Sequence, residues 1–556
     1  MKKPLSLIAL SAFVFISWIQ AAAPERPKAP YRMLFSNDTT NILSCTSPYH
    51  GPGDRELTDD MIRASVDEAA VEGMDAQLLQ PGMGWLPWWP SKVIPLDEHL
   101  KWFSDFYEAT PSGAYFNYVS AGNDMVKAFT DQVRSHNRAA FVSLRLNDVH
   151  ALDKAFEKGP KQGRYAMSFA RFYSENPQFL IGEPADRNSR LRVQDWAHPE
   201  VPAYKLKLIE ELCQNYELEG IELDFMRWAS YFKPGFDGEQ AKKIMTKFVG
   251  DVRKALDASS KNGKYRYLSV RIPVSDEQWE QFGIDPVAFY AAGVDIFNLS
   301  NSYCTTQQTP IAKLRKLVPK ASIVLELTMT TATWKVTAGG GDNANFRRST
   351  KEVLENTARI AYARGADGVS FFNFVYYRPF GSAREMRGPF CEPPFEWLSA
   401  LRSPEGVKDA PPYYYYNPEA NGGQIASRAL VMAPKADATL TMDMLPMGNR
   451  GEGRLRIQVI ATNERGLGEN DPAKDIFRGK WRVRLNEREI KPIKFDGELY
   501  PFDAGEIRAG FGQPEQFLAF SFPPSLIKDG PNRVDLWYEK GEKPLIVRFI
   551  DIYKVE

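Results

Sequence analysis

The chain reads as an α/β protein, a (β/α)8 TIM barrel followed by a C-terminal all-β sandwich. Three observations predict this. Short apolar runs alternate with helical patterns over roughly the first two thirds of the sequence, the rhythm of a parallel α/β fold. Beyond Ala410 the helical patterns stop and period-two alternation takes over. Several of the apolar runs also carry arginines, carboxylates or amides on one face near their ends, where a barrel places its ligand site.

Taken in order, the first element is an export signal. Lys2 and Lys3 precede an apolar run from Leu5 to Ile19, and Ala21 to Ala23 supply small residues for cleavage, with Pro24 steering the cut to Ala21 or Ala22. The run is short for a membrane span and no Cys follows for a lipid anchor, so residues 1–23 are expected to leave a soluble, secreted or periplasmic monomer. Eight strands are expected to begin near Arg32, Met74, Ala139, Gly220, Tyr267, Val294, Ser322 and Asp367. Helices fill the intervals, among them Thr58 to Glu72, Val201 to Tyr216, Gln240 to Ala258 and Lys351 to Arg364. A closed barrel over 31–402 is the economical solution. A doubly wound sheet is the alternative, but no Gly-rich phosphate fingerprint follows the first strand. Pro411, Pro412 and Tyr413 to Tyr416 end a linker or strap over 403–416. The sandwich at 417–556 is read from runs such as Arg454 to Ala461, Phe517 to Phe522 and Leu545 to Ile552.

Composition narrows the function. Basic and acidic residues balance at 70 each, which gives no electrostatic reason for nucleic acid as a partner. Cys45, Cys213, Cys304 and Cys391 lack metal-ligand spacing; Cys45–Cys391 is the favoured bridge and Cys213 a buried thiol. No GxSxG, HExxH, GxxxxGK[ST] or strand-linked GxGxxG motif is present, and no metal or cofactor is expected.

What remains is carboxylate chemistry. In Gly220 to Trp228, Ile221, Leu223 and Phe225 alternate with Glu222 and Asp224, so a buried strand shows a carboxylate face. Two acids there cost several kcal/mol unless paired. The same alternation turns Ser143, Arg145 and Asn147 inward on the third strand, Ser269 and Arg271 on the fifth and Asn298 and Ser300 on the sixth. It turns Val324 and Glu326 inward on the seventh, and Phe371 and Asn373 on the eighth. Asp38 and Asp148 read as turn or cap residues, and His150 and His198 as loop histidines.

Asp224 and Glu326 are the expected catalytic pair. Glycoside hydrolysis needs one carboxyl group as acid and a second as nucleophile or base. They stand about 5–5.5 Å apart for retention and about 6.5–9.5 Å apart for inversion. Glu222, one pleat deeper, is expected to pair with Arg271. With it the substrate-binding set comprises Arg145, Asn147, Arg227, Arg271, Asn298, Asn373, Trp85, Trp88, Trp228 and Tyr376. The aromatics suit the apolar faces of sugar rings, against the plainer reading of a lid packed on itself. Interior arginines and the loop carrying Arg164, Arg171, Arg187, Arg190 and Arg192 suit an anionic sugar.

The segment Asp195 to Val201, a helix, and then Gly220 to Arg227 resembles bacterial glycoside-hydrolase-like barrel proteins, including the family called glycosyl hydrolase-like 10. There a stretch like NPEVRDY precedes a strand like DGIHLDDY or DGIHFDFIRY. The resemblance covers roughly Tyr31 to Arg402. It implies that Asp224 is the acid closing that strand and Arg227 the arginine of its tail, while Glu222 stands where the family often has His. The expected function is an exported hydrolase of a polysaccharide or oligosaccharide. The alternative is a non-catalytic carbohydrate-binding protein, distinguished by whether a second carboxylate faces Asp224.

Overall fold

The structure, a computed structural model, describes residues 26–44, 56–148, 150–226, 230–261, 263–335, 344–378, 392–418, 430–461, 479–495 and 517–556. The expected signal peptide, Cys45, Arg227, Trp228 and Cys391 lie outside the described residues, and the Cys45–Cys391 bridge with them. Among the described residues no helix is long and apolar enough to cross a membrane.

Eight parallel strands close into a barrel. They are β1 (Met33–Asp38), β2 (Ala76–Gln80), β3 (Ala139–Arg145), β4 (Gly220–Asp224), β5 (Tyr267–Pro273), β6 (Ile296–Ser300), β7 (Ser322–Thr328) and, after an antiparallel pair β8 (Thr330–Lys335) and β9 (Ala344–Arg348), β10 (Gly368–Phe372). Strand β10 lies between β7 and β1 and so completes the circle. The helices start where the sequence offers caps: Thr58, Asp124, Asp237 and Thr350 each accept a backbone N–H in the first turn of the helix that follows.

The barrel interior is layered. At its N-terminal end Leu34, Ala76, Leu78, Ala139, Phe141, Ile296 and Val324 form an apolar plug. Tyr31 sets its ring edge-on to Phe141 and Tyr267 at 5.3 and 5.2 Å. Gly220 is obligatory there, because a Cβ would come within 2.2 Å of the Phe141 ring. Above the plug the same alternation brings in Ser143, Glu222, Ser269, Asn298 and Ser370, and above them Asp38, Gln80, Arg145, Asp224, Arg271, Ser300, Glu326 and Phe372. A packed apolar floor therefore carries a polar storey at the C-terminal mouth.

The C-terminal sandwich pairs two antiparallel sheets. One holds β11 (Tyr413–Tyr416), β12 (Leu430–Met432), β14 (Glu452–Ala461), β17 (Lys491–Ile493), β18 (Phe517–Phe522) and β20 (Leu545–Val555). The other holds β13 (Asp437–Met444), β15 (Lys480–Leu485), β16 (Arg488–Glu489) and β19 (Gly530–Lys540). One reading needs correcting. Tyr413 to Tyr416, taken as linker, are strand β11, paired antiparallel with Ile550 to Tyr553 of β20. A tyrosine run has good strand propensity, and its partner, more than 130 residues away in the chain, is invisible to local composition.

The two units share apolar contacts. Ile360, on the helix Lys351–Ala363, belongs to the sandwich core with Tyr414, and Val353 packs with Tyr415 and Phe549. Each such side chain is worth about 1.5–3 kcal/mol when fully buried. Deleting residues 417–556 is therefore expected to lower the melting temperature of the remaining chain markedly. A shortened protein that melts where the full chain does would remove the packing role.

Candidate active site

The mouth is organised by strand register. In the β4–β5 pair Asp224 stands opposite Arg271, and Glu222 opposite Ser269. Arg271 consequently serves the upper storey. Its Nη1 donates to both oxygens of Asp224 at 3.1 Å, while Nε and Nη2 grip Glu326 at 2.6 and 2.8 Å. The guanidinium lies 4.1 Å from the centroid of the Phe372 ring. Asp224 and Glu326, expected as a pair, are thus brought together, with one arginine between them. Both are buried, at 0% and 2% exposure.

Each carboxylate has further donors. Asp224 accepts from Gln80 Nε2 at 3.1 Å and from the Met226 backbone at 2.9 Å, with Arg145 Nε 4.0 Å away. Ser300 Oγ donates to Glu326 at 2.5 Å. Burial pushes the Glu326 carboxyl up, against the opposing pull of Arg271 and Ser300. For Arg271 burial acts downward, but Asp224 and Glu326 outweigh it and hold the guanidinium above its ordinary value.

Glu222 corrects a second expectation. Arg271 does not hydrogen-bond to it; Ser143 and Ser269 hydroxyls and Asn298 Nδ2 donate instead, at 2.8, 3.0 and 3.1 Å. Asn298 is held in turn by Ser370 Oγ at 2.6 Å. Burial first and the Asp224 charge second push Glu222 up to about 7, against the opposing pull of the Arg271 charge and of the Ser143 and Asn298 bonds. Its ordinary value is 4.5, so between pH 4.5 and about 7 the folded chain holds a proton that the unfolded chain lacks. Stability from this group is therefore greatest at low pH and declines as pH rises through that window, by about 3 kcal/mol at most. Glu222→Gln is expected to shrink the difference in unfolding free energy between pH 5 and pH 8, as read by denaturant titration. An unchanged difference would refute the assignment.

Arg145 is equally committed. Its Nη1 donates to Asp148 at 2.8 Å, and its Nη2 to Asp38 at 2.5 Å and Gln80 Oε1 at 2.9 Å. Asp38 and Asp148, read as turn residues, are thus members of the mouth network. Asp148 also binds His150 Nδ1 at 2.5 Å, while His198 packs against Phe179 at 5.0 Å. Asp38, Asp148, Asp224 and Glu326 thus engage Arg145 and Arg271, the interior arginines on which an anionic sugar is expected. In the arginine loop Arg171 pairs with Glu175 and Arg192 donates to the Asp186 carbonyl.

Other expected ligands do structural work. Asn147 lies past the end of β3, and its side chain ties the Gln194 and Ser230 carbonyls. On β10 the inward residues are Ser370 and Phe372, one position off the expected face. Phe371 joins the outer core against Phe374, with ring centroids 5.3 Å apart. The strand ends at Phe372, and Asn373 turns left-handed at φ 55°, so its Oδ1 accepts from the Asp38 backbone at 3.1 Å and Asn41 Nδ2 at 2.7 Å. Trp85 stacks in a buried group with Phe172 and Tyr204. Trp88 donates to the Met167 carbonyl at 2.7 Å, and Tyr376 sits 5.9 Å from Tyr303. All three rings are at most 3% exposed, the packed-lid arrangement.

Three residues escaped the sequence reading. Gln80 was legible by the alternation that turns Ala76 and Leu78 inward. Lys205 and Glu211 lie on the helix Glu200–Asn215 and carried no local signal. Lys205 Nζ donates to the Gly84 and Arg145 carbonyls and sits 3.8 Å over the Trp85 ring, which fixes the loops after β2 and β3. Glu211 accepts from Trp89, Ser91, Lys92 and Val93, clipping the tryptophan loop in place. Among the described residues no group of three His, Cys, Asp or Glu side chains is arranged to hold a metal ion.

No family model and no curated protein sequence matches the chain. Among solved structures it is similar to α-L-fucosidase isoenzyme 2 from Paenibacillus thiaminolyticus, at 12% identity and a TM-score of 0.37, over 68% of this chain and 49% of that one. A glycoside hydrolase family 20 β-N-acetylglucosaminidase aligns at 11% identity and a TM-score of 0.35, over 69% and 70% of the two chains. A β-N-acetylhexosaminidase aligns at 11% and 0.37, over 69% and 75%. The chain spans about half the length of that fucosidase. The barrel itself rests on this chain's own strand pairing.

Proposed function

We propose that the chain is an exported glycoside hydrolase acting on a polysaccharide or oligosaccharide, with Asp224 and Glu326 as its two catalytic carboxyl groups. The observation that supports this is their convergence on Arg271 at the C-terminal mouth, directly above an apolar floor. Asp224, ringed by Arg271, Gln80 and a backbone N–H, suits the nucleophile or base. Glu326, whose affinity for its proton is raised by burial, suits the acid. Productive binding then requires Arg271 to release one of its two carboxylates as the sugar enters. Incubating the purified protein with a panel of algal, plant and bacterial glycans and measuring reducing ends tests the reading; release of sugar from none of them overturns it.

A second reading has its own observation. Arg271 engages both carboxylates at once, an arrangement suited to a carbohydrate-binding protein without turnover. Retention of a glycan in affinity electrophoresis with no product would favour it. Export rests on residues 1–23 and is checked by the mass of the mature N-terminus.

A further inference from the structure

We propose that the sandwich is a working part of the mouth, with Tyr415 and Gln307 as positioning residues for Glu326; this rests on the reading of Glu326 as the catalytic acid. The loop after β6 crosses to β11. Tyr415 Oη donates to the Thr305 carbonyl at 2.5 Å, and the Tyr415 backbone N–H donates to Gln307 Oε1 at 2.9 Å. Gln307 Nε2 returns a bond to the Tyr413 carbonyl at 3.1 Å. Thr305 passes the constraint inward. Its hydroxyl donates to the Thr328 carbonyl at 3.0 Å and accepts from the Thr328 N–H at 2.8 Å, while its own N–H binds the Thr330 carbonyl at 2.7 Å.

Thr328 ends β7, two residues beyond Glu326 and on the same face. At the other end of this loop Ser300 Oγ donates to Glu326 and accepts from the Ser302 N–H at 2.9 Å. Glu326 therefore lies between the start of this loop at Ser300 and the end of β7 at Thr328, and β11 holds the Thr328 side through Thr305. Tyr415 is itself buried and stacked on Phe549, with centroids 5.6 Å apart and rings 11° from parallel, so its hydroxyl is presented from a rigid base. A second seam, Arg364 with the side chains of Asp443 and Asp529, meets the loop only through the Asp443 backbone N–H, which donates to Gln308 Oε1 at 2.9 Å.

The test compares three full-length variants. Tyr415→Phe keeps the stacked ring and removes only the hydroxyl, Gln307→Met removes both bonds to β11, and Arg364→Ala removes the side-chain pairs with Asp443 and Asp529 while leaving the backbone bond from Asp443 to Gln308. Amide hydrogen exchange at Thr305 and Thr328 is expected to rise about tenfold or more in the first two and to stay unchanged in the third. On a hydrolysed glycan the first two should lose about tenfold in kcat with KM within about twofold, a split that general destabilisation does not produce. Unchanged exchange at Thr328 in both mouth variants, or an equal rise in Arg364→Ala, overturns the proposal. Lost protection at Thr328 in a protein that turns over no glycan overturns the hydrolase reading and leaves the positioning role supported.

Discussion

Asp224→Asn and Glu326→Gln are each expected to abolish all but a trace of turnover while leaving glycan binding largely intact. Both amides keep the shape of the side chain and remove the ionisable group. Losing proton transfer at Glu326 alone should cost roughly 10²–10⁴-fold, and losing the carboxylate at Asp224 at least as much. The two losses should not add, because acid and nucleophile act on one transition state. Glu222→Gln is the informative control. Glu222 lies one pleat deeper and bonds only Ser143, Ser269 and Asn298, so it should alter the pH dependence of stability far more than kcat. Initial rates on the hydrolysed glycan, with binding measured by calorimetry, decide the matter. Near-normal turnover by Asp224→Asn sinks the assignment, and Asp148→Asn then becomes the next variant to make.

Arg271→Leu is expected to produce the largest loss of stability of any single change at the mouth. It leaves Asp224 and Glu326 buried without their shared cation, and removing one partner of a buried ion pair costs about 3–5 kcal/mol. The pH dependence carries the diagnosis. Burial already raises Glu326 above its ordinary 4.5, and without Arg271 the strongest opposing influence is gone. A carboxyl whose folded pKa exceeds its unfolded one takes up a proton on folding, so its penalty is full at high pH and is relieved as pH falls through the folded value towards 4.5. The deficit of Arg271→Leu relative to wild type should therefore be larger at pH 8 than at pH 5 in guanidinium unfolding. Arg271→Lys should fall between the two, since one ammonium cannot reach two carboxylates with a planar fork. A deficit independent of pH would mean that lost packing on Phe372, not the charge, is responsible.

How much of this was legible in advance follows from which forces are local. The barrel strands begin close to their expected positions, because period-two patterning is written in neighbours along the chain, whereas the helix expected over Thr58 to Glu72 spans Asp59–Asp67 and the β8–β9 pair is not foreshadowed. The same parity places Arg145, Glu222, Asp224, Arg271, Asn298 and Glu326 inside the barrel, and a closed barrel puts them at one mouth. Carboxylates and arginines on a buried face must be paired, so a charged cluster was implied as well.

Who pairs with whom was decided elsewhere. A shift of one strand by one pleat would have matched Arg271 to Glu222, but the β4–β5 register set it against Asp224, and barrel closure brought Glu326 to its other edge. Register is a property of two strands and closure of eight, and neither is encoded in any one of them. On β10 the inward face is set by pairing with β1 and β7, which turns Ser370 and Phe372 in where Phe371 and Asn373 are expected; Asn373 then turns left-handed and bonds Asp38 and Asn41. The tryptophans after β2 look like a sugar platform in sequence, yet the Met167 carbonyl, Lys205 and Glu211, distant in the chain, draw them into the core. Tyr413 to Tyr416 became a strand because β20 offered an open edge, which composition beside two prolines could not foretell. The sequence determined which side chains of β3 to β7 enter the barrel, since that depends on local periodicity. Only the tertiary structure decided their partners and their exposure, since those depend on contacts between segments far apart in the chain.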